Sequence, residues 1–331
     1  MKTIAFFNNK GGVGKTSLVY HLAWMFADRG ISTLAVDLDP QANLTAMFLD
    51  EERLVDLWPD SEHLETIYGA IRPIDRGKGD VSQPHIERIT DKLGLIPGDL
   101  SLSRFEDKLS ESWPKCQNRD EAAFRIMTAF YRLILYGADK TGAQVVLIDV
   151  GPNLGAINRA AIIASEWIVI PLAADLFSLQ GLKNLGPALR EWRLIWNELL
   201  GKVPCQEDLE LPKGLMEPAG YVVMQHGIKE ERPVKSYLRW MDRIPLIYRQ
   251  SILGLEGLES LPKVDEDPYK LSMLKHYRSL IPMAMEVRKP IFFLKPADGA
   301  IGAHTEAVKE CYKDFLSLAK TISQKTGISF K

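Results

Sequence analysis

Cysteine is scarce in this chain, with three in 331 residues: Cys116, Cys205 and Cys311. They lie far apart and form no C-x-x-C pair, which argues against a disulfide framework or a cysteine-held metal and suits incidental thiols in a reducing compartment. The six histidines, His21, His63, His85, His226, His276 and His304, show no metal-ligand spacing, so protein-held zinc or iron is not expected. No apolar run reaches the roughly 18 residues that a membrane span needs. The N-terminus, MKTIAFFNN, reads as a short strand rather than a signal peptide. A cytoplasmic protein is therefore expected. Charge of one sign is also missing: 41 Lys and Arg face 43 Asp and Glu, a formal net charge of −2. Any nucleic-acid role must then rest on a local patch. Internal repeats and low-complexity tracts are absent as well.

The chain has an ordinary globular composition, 46% hydrophobic and 25% charged, and its order of elements suggests a class. TIAFFNN (3–9) reads as a buried strand, and 16–29 carries Leu18, Val19, Leu22, Met25 and Phe26 at helical spacing. STLAVDLD (32–39) follows as a second strand, which makes a βαβ unit and implies a parallel sheet. Further strands are expected at 93–98, 143–152, 166–175 and 219–226. Residues 50–92 read as polar and irregular. Helices are expected at 100–110, 121–137, 156–165 and 178–200, around 233–243 and 269–280, and, amphipathic, near 303–323. The fold class is α/β, a doubly wound, mostly parallel twisted sheet with helices on both faces. One domain over 1–331 is expected, with decorations at about 50–140 and 200–280.

The first strand runs into NNKGGVGKTS, residues 8–17. It departs from the phosphate-loop pattern G-x-x-x-x-G-K-[ST] by placing Asn9 at the first glycine and adding Lys10. Gly11, Gly12 and Gly14 let backbone N–H groups face an anion, and the following helix adds its positive end. The expected nucleotide-binding set is Lys10, Gly11, Gly12, Val13, Gly14, Lys15, Thr16 and Ser17. Lys15 is placed to reach β- and γ-phosphates, and the Thr16 hydroxyl to ligate Mg²⁺. Carboxylates come from VDLDPQANLT (36–45) and VVLIDVGP (145–152). Asp37, Asp39 and Asp149 all close buried strands, so they converge on the carboxyl edge where ligands bind in such sheets. Thr16, Asp37 and Asp149 are the candidate metal ligands, and ATP with Mg²⁺ the expected cofactors.

KGGVGKTS, VDLDPQANLT, LIDVGPNLGAINRAAIIAS and WIVIPLAADLFSLQGLKNL occur in one order. In that order the chain resembles the ParA/Soj/MinD family of deviant-Walker-A ATPases. LGLIPGDLSLSRFEDKLS resembles the ParA stretch before its Walker-B strand. The likeness covers residues 1–190 well and 215–320 loosely. It implies an ATP-sandwich homodimer in which Lys10 reaches the phosphates of the other subunit, so that Lys10, Lys15 and Asp39 are catalytic. Asp39 would orient the attacking water. Asp37 and Thr45 would belong to a first switch, and Asp149 through Asn153 to a second. Family members show D-x-P-P where this chain has DVGP, and Gly151 predicts a more flexible second switch. Related families are weighed by absences: no bridging cysteines, no tandem loop, no tail tyrosines.

The resemblance also implies non-specific DNA binding by the dimer, a ParB-like stimulating protein and a place on the nucleoid. Two basic stretches are candidates. In 226–250 six basic residues face three acids, and in 269–289 five face one. Lys235, Arg239 and Arg243, four apart, are expected on one helix face, and Lys270, Lys275 and Arg278 form the second group. A solvated helix face is the plain alternative. The closing helix suits core packing better than a membrane surface, which it would meet with more basic residues. Trp58 and Trp113 are candidates for a partner surface. Gln225 and Pro282 are the candidates for adenine contacts by analogy. Two other functions stay open: a nucleotide-gated positioning or membrane-surface switch without DNA binding, and an ATP-dependent ligase or synthetase of the same branch.

Overall fold

Runs of aliphatic residues without polar alternation make the centre of the sheet. In the computed structural model, which describes residues 1–204, 209–224, 234–257, 262–277 and 279–330, with backbone alone at 234–237, β2 (Thr33–Leu38) and β5 (Val145–Val150) are buried at every position. Full burial is what a parallel strand covered by helices on both faces requires. The other strands are β1 (Lys2–Phe6), β3 (Glu87–Thr90), β4 (Leu93–Ile96), β6 (Trp167–Ala173), β7 (Glu217–Met224) and β8 (Lys270–Leu274). They form one eight-stranded sheet in the order β3-β4-β2-β5-β1-β6-β7-β8. Among the described residues only the β3–β4 edge pair is antiparallel. The expected class is the one observed.

The helices are α1 (Lys15–Asp28), α2 (Asn43–Phe48), α3 (Glu51–Leu57), α4 (Ile67–Asp75), α5 (Phe105–Cys116), α6 (Glu121–Met127) and α7 (Ala129–Thr141). They continue with α8 (Ala156–Ile163), α9 (Leu176–Leu200), α10 (Val234–Met241), α11 (Ile244–Ile247), α12 (Leu280–Glu286) and α13 (Ala303–Thr326). Two cores lie on opposite faces of the sheet. Val146, Ile148 and Val150 point to the one shared with α4–α9, while Val145 and Leu147 point to the one shared with α1, α12 and α13. The period of two along β5 thus serves both layers. Among the described residues no helix is long and apolar enough to cross a membrane.

Two expectations fail here. The helix expected at 269–280 is strand β8 over 270–274, followed by α12 from Leu280. Its Leu271 and Leu274 carry helical spacing, but hydrogen bonding to β7 decides the conformation, a tertiary override of local pattern. The stretch 50–92 is not irregular, since it contains α3, α4 and β3. Both helices start on side-chain caps, Asp50 accepting from the Arg53 N–H and Thr66 from the Gly69 N–H.

The last helix, α13, buries Val308, Phe315, Leu318 and Ile322 and packs on α1 and β8. Core packing is its observed use. Phe315 stacks on His21 at a ring-centroid separation of 4.9 Å and contacts Phe292 at 5.7 Å. Trp113 stacks on Trp196 of α9 with centroids 6.3 Å apart, and the Trp58 indole donates to the Gly98 carbonyl at 3.2 Å. Both tryptophans are thus half-buried packing residues. Phe315→Ala should lower unfolding free energy by roughly 3–5 kcal/mol, the usual cost of emptying an aromatic site, measured as a fall in the urea midpoint at constant slope.

Candidate functional site

The turn between β1 and α1 is held from below. The Asn8 side-chain amide donates to the Pro171 carbonyl at the end of β6, 2.5 Å away, and Asn8 is buried. Gly12 and Gly14 then take φ of 73° and 84°, values that a residue with a Cβ resists. Gly14 caps α1 without a side-chain bond, and no acidic residue occupies the first turn of that helix. Its N–H groups and dipole are left for an external anion. Lys15 is buried, 8% exposed. A cavity of about 600 Å³ opens over this turn, within the range of small-molecule sites. All eight residues from Lys10 to Ser17 line it, together with Asp39, Gln41, Asn43 and Pro152.

Two strand ends, those of β2 and β5, bring the carboxylates beneath the cavity. Asp37 and Asp149 stand in register on the adjacent strands β2 and β5, and neither has any exposed surface. Burial raises both carboxyl groups above the ordinary range, and Asp149 raises Asp37 further, while Lys15 pulls Asp149 back. Their partners differ. Asp37 Oδ2 accepts from the Thr45 N–H at 2.8 Å and the Thr45 hydroxyl at 2.7 Å, and Oδ1 accepts from the Asp39 N–H at 3.3 Å. The Thr45 hydroxyl in turn accepts from the Gly98 N–H at 2.7 Å. A Cβ at Gly98 would lie 2.7 Å from the Asp37 carboxyl carbon, so glycine is required by space there. Both Asp149 oxygens, by contrast, are buried without a hydrogen-bond partner. The groups that face them are Lys15, Thr16 and Asp39.

Asp39 lines the cavity and is 5% exposed. Its Oδ1 accepts from the Gln41 N–H at 3.0 Å, which bends the chain after β2. After β5, Gly151 is tied on both sides by one residue: its N–H donates to Asn158 Oδ1 at 3.1 Å and its carbonyl accepts from Asn158 Nδ2 at 2.9 Å. The looseness expected from glycine is thus countered by Asn158. Lys10 pairs with Asp175, whose other oxygen accepts from the Ser178 N–H at 2.9 Å and caps α9. Burial raises the Asp175 carboxyl, but Lys10 and the cap outweigh it and hold it below the usual range.

The far wall of the cavity was not legible beforehand. It consists of Tyr20, His21, Ala46, Met47, Ile281, Ala284, Met285, Arg288 and Lys289, closing at Ile291. The Tyr20 hydroxyl donates to the Arg288 carbonyl at 3.1 Å. The His21 Nδ1–H donates to the Ser17 carbonyl at 2.7 Å, and Nε2 accepts from the Ile291 N–H at 3.1 Å. A signal for Tyr20 and His21 existed, since they lie one turn past Thr16 and Ser17 on the same helix face. For 281–291 there was none. Pro282 is exposed and stands outside the lining, whereas its neighbour Ile281 is in it. Gln225 and Arg278 lie outside the described residues, and of Lys235 only the backbone is described.

The candidate DNA contacts are scattered. Arg239 belongs to α10, but Arg243 lies beyond its end, so the helix face expected to join them does not extend that far. Both guanidinium groups sit over the Trp240 ring, at 5.6 and 5.5 Å. Lys270 pairs with Asp265 at 3.3 Å and Lys275 with Glu310 at 3.0 Å.

A glycine-rich turn between a parallel strand and a helix, two lysines on it, and carboxylates at the neighbouring strand ends define a P-loop nucleotide-binding protein. The AAA_31 family model, described as an AAA domain, matches residues 1–200. Protein IncC of Escherichia coli is 29% identical over 215 residues, covering 64% of this chain and 53% of that protein. Chromosome-partitioning ATPase Soj of Thermus thermophilus is 30% identical over 194 residues, covering 58% and 63%. Protein DIP2308 of Corynebacterium diphtheriae shares the fold with a TM-score of 0.71 at 23% identity, covering 98% of each chain. The chain belongs to this family, the ParA-type P-loop ATPases. The match spans about half the length of most of the curated relatives.

Burial of His21 has a measurable consequence. Desolvation lowers its pKa to about 4 from 6.5, partly offset by the Ser17 carbonyl. Between those values the unfolded chain binds a proton that the folded chain refuses, so this contribution is full above pH 6.5 and shrinks as pH falls toward 4. Its size is roughly 3 kcal/mol at ~1.4 per unit. The raised carboxyls of Asp37 and Asp149 slope the opposite way in the same range. The stability difference between wild type and His21→Gln should therefore narrow as pH drops from about 7 to about 4, read from urea unfolding at each pH.

Proposed function

We propose that this chain is an Mg²⁺-dependent ATP hydrolase that works as a partitioning switch. ATP binding joins two copies, the joined form holds DNA, and hydrolysis stimulated by a ParB-like partner releases it. The observation that carries this reading is the pairing of an anion-ready turn with the unpartnered, fully buried Asp149 carboxylate beneath it. A carboxylate with no exposed surface and no hydrogen bond is costly unless a cation approaches. The Thr16 hydroxyl and Asp149 are the groups for Mg²⁺, with Asp149 acting through water. Asp37, an expected third ligand, has its oxygens engaged by Thr45 and Asp39 and shapes the first switch. Held by Thr16 and Asp149, Mg²⁺ would supply positive charge that offsets the charge of the phosphates.

The residues of this chain then divide the work. Backbone N–H groups of 11–16 and Lys15 hold the β- and γ-phosphates. Asp39, at the cavity wall, accepts from and orients the attacking water. Lys10 serves the other copy, adding positive charge where the γ-phosphoryl oxygens gather it. To do so it must leave Asp175, so the Lys10–Asp175 pair belongs to the single chain. Positioning and charge stabilisation carry the rate, and no covalent intermediate is required. By relatedness to partitioning proteins the cargo is DNA, with Arg239 and Arg243 as the exposed cations. One observation favours the second reading, a switch that ignores DNA: Lys270 and Lys275 already face carboxylates.

Light scattering with ADP and then ATP tests the cycle. ATP should produce a dimer that persists in Asp39→Ala and is absent in Lys15→Ala, and Lys10→Ala should dimerise weakly and hydrolyse little. A chain that stays monomeric with ATP would overturn the role of Lys10. On the same samples, a DNA-retention assay at two salt concentrations should show ATP-dependent binding that falls steeply with salt. A dimer that leaves DNA free selects the second reading.

The metal has its own test. Asp149 must shed the proton that burial favours before a cation can be held, so the gain in ATP affinity on adding Mg²⁺ should grow from about pH 5.5 to about pH 8. Asp149→Asn should abolish that gain and leave Mg²⁺-free binding within about twofold. Fluorescent-nucleotide titration at each pH measures both.

A further inference from the structure

Helix α8 follows the second switch loop and begins without a cap of its own. Its N-cap residue is Gly155, it has no side-chain cap, and no acidic residue lies in its first turn. The cap arrives from 50 residues away. Glu106, on α5, accepts the Ala156 N–H on Oε1 at 2.5 Å and the Ile157 N–H on Oε2 at 2.9 Å. A charged group that takes two free N–H donors at a helix start is favoured by hydrogen bonding and by the dipole together. The approach depends on Gly155: a Cβ there would lie 2.6 Å from Glu106 Oε1. Gly155 has φ −75°, a value any residue adopts, so space rather than conformation calls for glycine.

The capped end of α8 is the far anchor of the loop that starts at Asp149. Pro152 of that loop lines the cavity. Asn158, one turn into α8, holds Gly151 on both sides and also donates to the Asn153 carbonyl at 2.6 Å. Fixing the first turn of α8 therefore fixes Asn158, and Asn158 fixes the backbone next to Asp149. A second contact joins the same helices, with the Arg159 guanidinium 4.5 Å from the Trp113 ring centroid. The chain leading into α5 also touches the first switch, since Gly98 donates to Thr45 and abuts Asp37. Residues 97–106 thus meet both loops that flank the cavity, while Glu106 itself is absent from the lining.

We propose that Glu106 is a positioning residue for ATP hydrolysis, holding the second switch loop in register with the first through the start of α8. The proposal rests on the ATPase reading above. It places the effect on the chemical step rather than on nucleotide binding, because the glycine-rich turn leads into α1, whereas the Glu106 carboxylate accepts from α8 and Glu106 does not line the cavity. Two substitutions attack the same contact from opposite sides. Glu106→Ala removes the acceptor, and Gly155→Ala displaces it. Glu106→Gln keeps one acceptor oxygen.

The test is ATP turnover, ADP affinity and amide hydrogen exchange on wild type and the three variants, each checked for folding by circular dichroism. Glu106→Ala and Gly155→Ala should lose kcat by about tenfold or more with KM and ADP affinity within about twofold, and exchange at residues 151–157 should speed up. Glu106→Gln should recover a substantial part of both. If either alanine variant exchanges faster at 151–157 yet turns over like wild type, the proposal is overturned. Equal loss in Glu106→Gln and Glu106→Ala with unchanged exchange overturns it as well. Wild-type protein that binds no ATP, or never hydrolyses it, sinks the ATPase reading instead, and the proposal with it.

Discussion

Two carboxyl groups side by side in a dry sheet set the terms for everything around them. Parallel pairing of β2 with β5 places Asp37 opposite Asp149, and helices on both faces exclude water from the pair. Like charges at that separation in a poorly screened interior repel strongly. The structure relieves the strain asymmetrically. Asp37 receives two N–H groups and a hydroxyl, whereas neither Asp149 oxygen has a hydrogen-bond partner and only the nearby Lys15 and Thr16 favour its charge from the phosphate-loop side. One carboxyl is built into a hydrogen-bond network, and the other is left without one.

That asymmetry extends into the loops after β2 and β5, which are held by different partners. The first is tied to Asp37 through Thr45 and to the sheet through Gly98. The second is tied to Asn158 and, through α8, to Glu106. Directed hydrogen bonds fix the backbone of each loop beside apolar anchors such as Leu44 and Leu154. Such bonds contribute about 1 kcal/mol apiece, a scale at which a bound nucleotide's charge can rearrange them. The cavity's other wall is fixed differently. There α1 grips the 288–291 segment by Tyr20 and His21, with Phe292, Phe315 and α13 packed behind.

The parts of this design that were readable in advance share one property: their chemistry is local in the chain. The order strand, glycine turn, lysine, hydroxyl and helix is contiguous, and so is the run of four apolar residues before Asp149. Fully buried strands announce themselves because no polar alternation interrupts them. The failures share the opposite property. Residues 269–280 carry a helical spacing that pairing with β7 overrides, and 50–92 hides helices whose apolar faces are short. Tyr20 and His21 looked like ordinary interior positions of α1 until a segment 270 residues further on came to rest against them. Lys10 looked idle outside a dimer, yet Asp175 holds it in the single chain.

By itself the sequence determined the class of sheet, the phosphate turn and the three aspartates at strand ends, because each follows from residue type and spacing within a few positions. Only the tertiary structure decided how those aspartates differ, what closes the cavity and which residue caps α8. The reason is geometric. Whether a polar group is satisfied or left bare depends on partners delivered from elsewhere in the chain: the Thr45 N–H and hydroxyl for Asp37, no hydrogen-bond partner for Asp149, and the Glu106 carboxylate for the bare helix end at Ala156. No local pattern records a partner that the fold brings from 50 or 270 residues away.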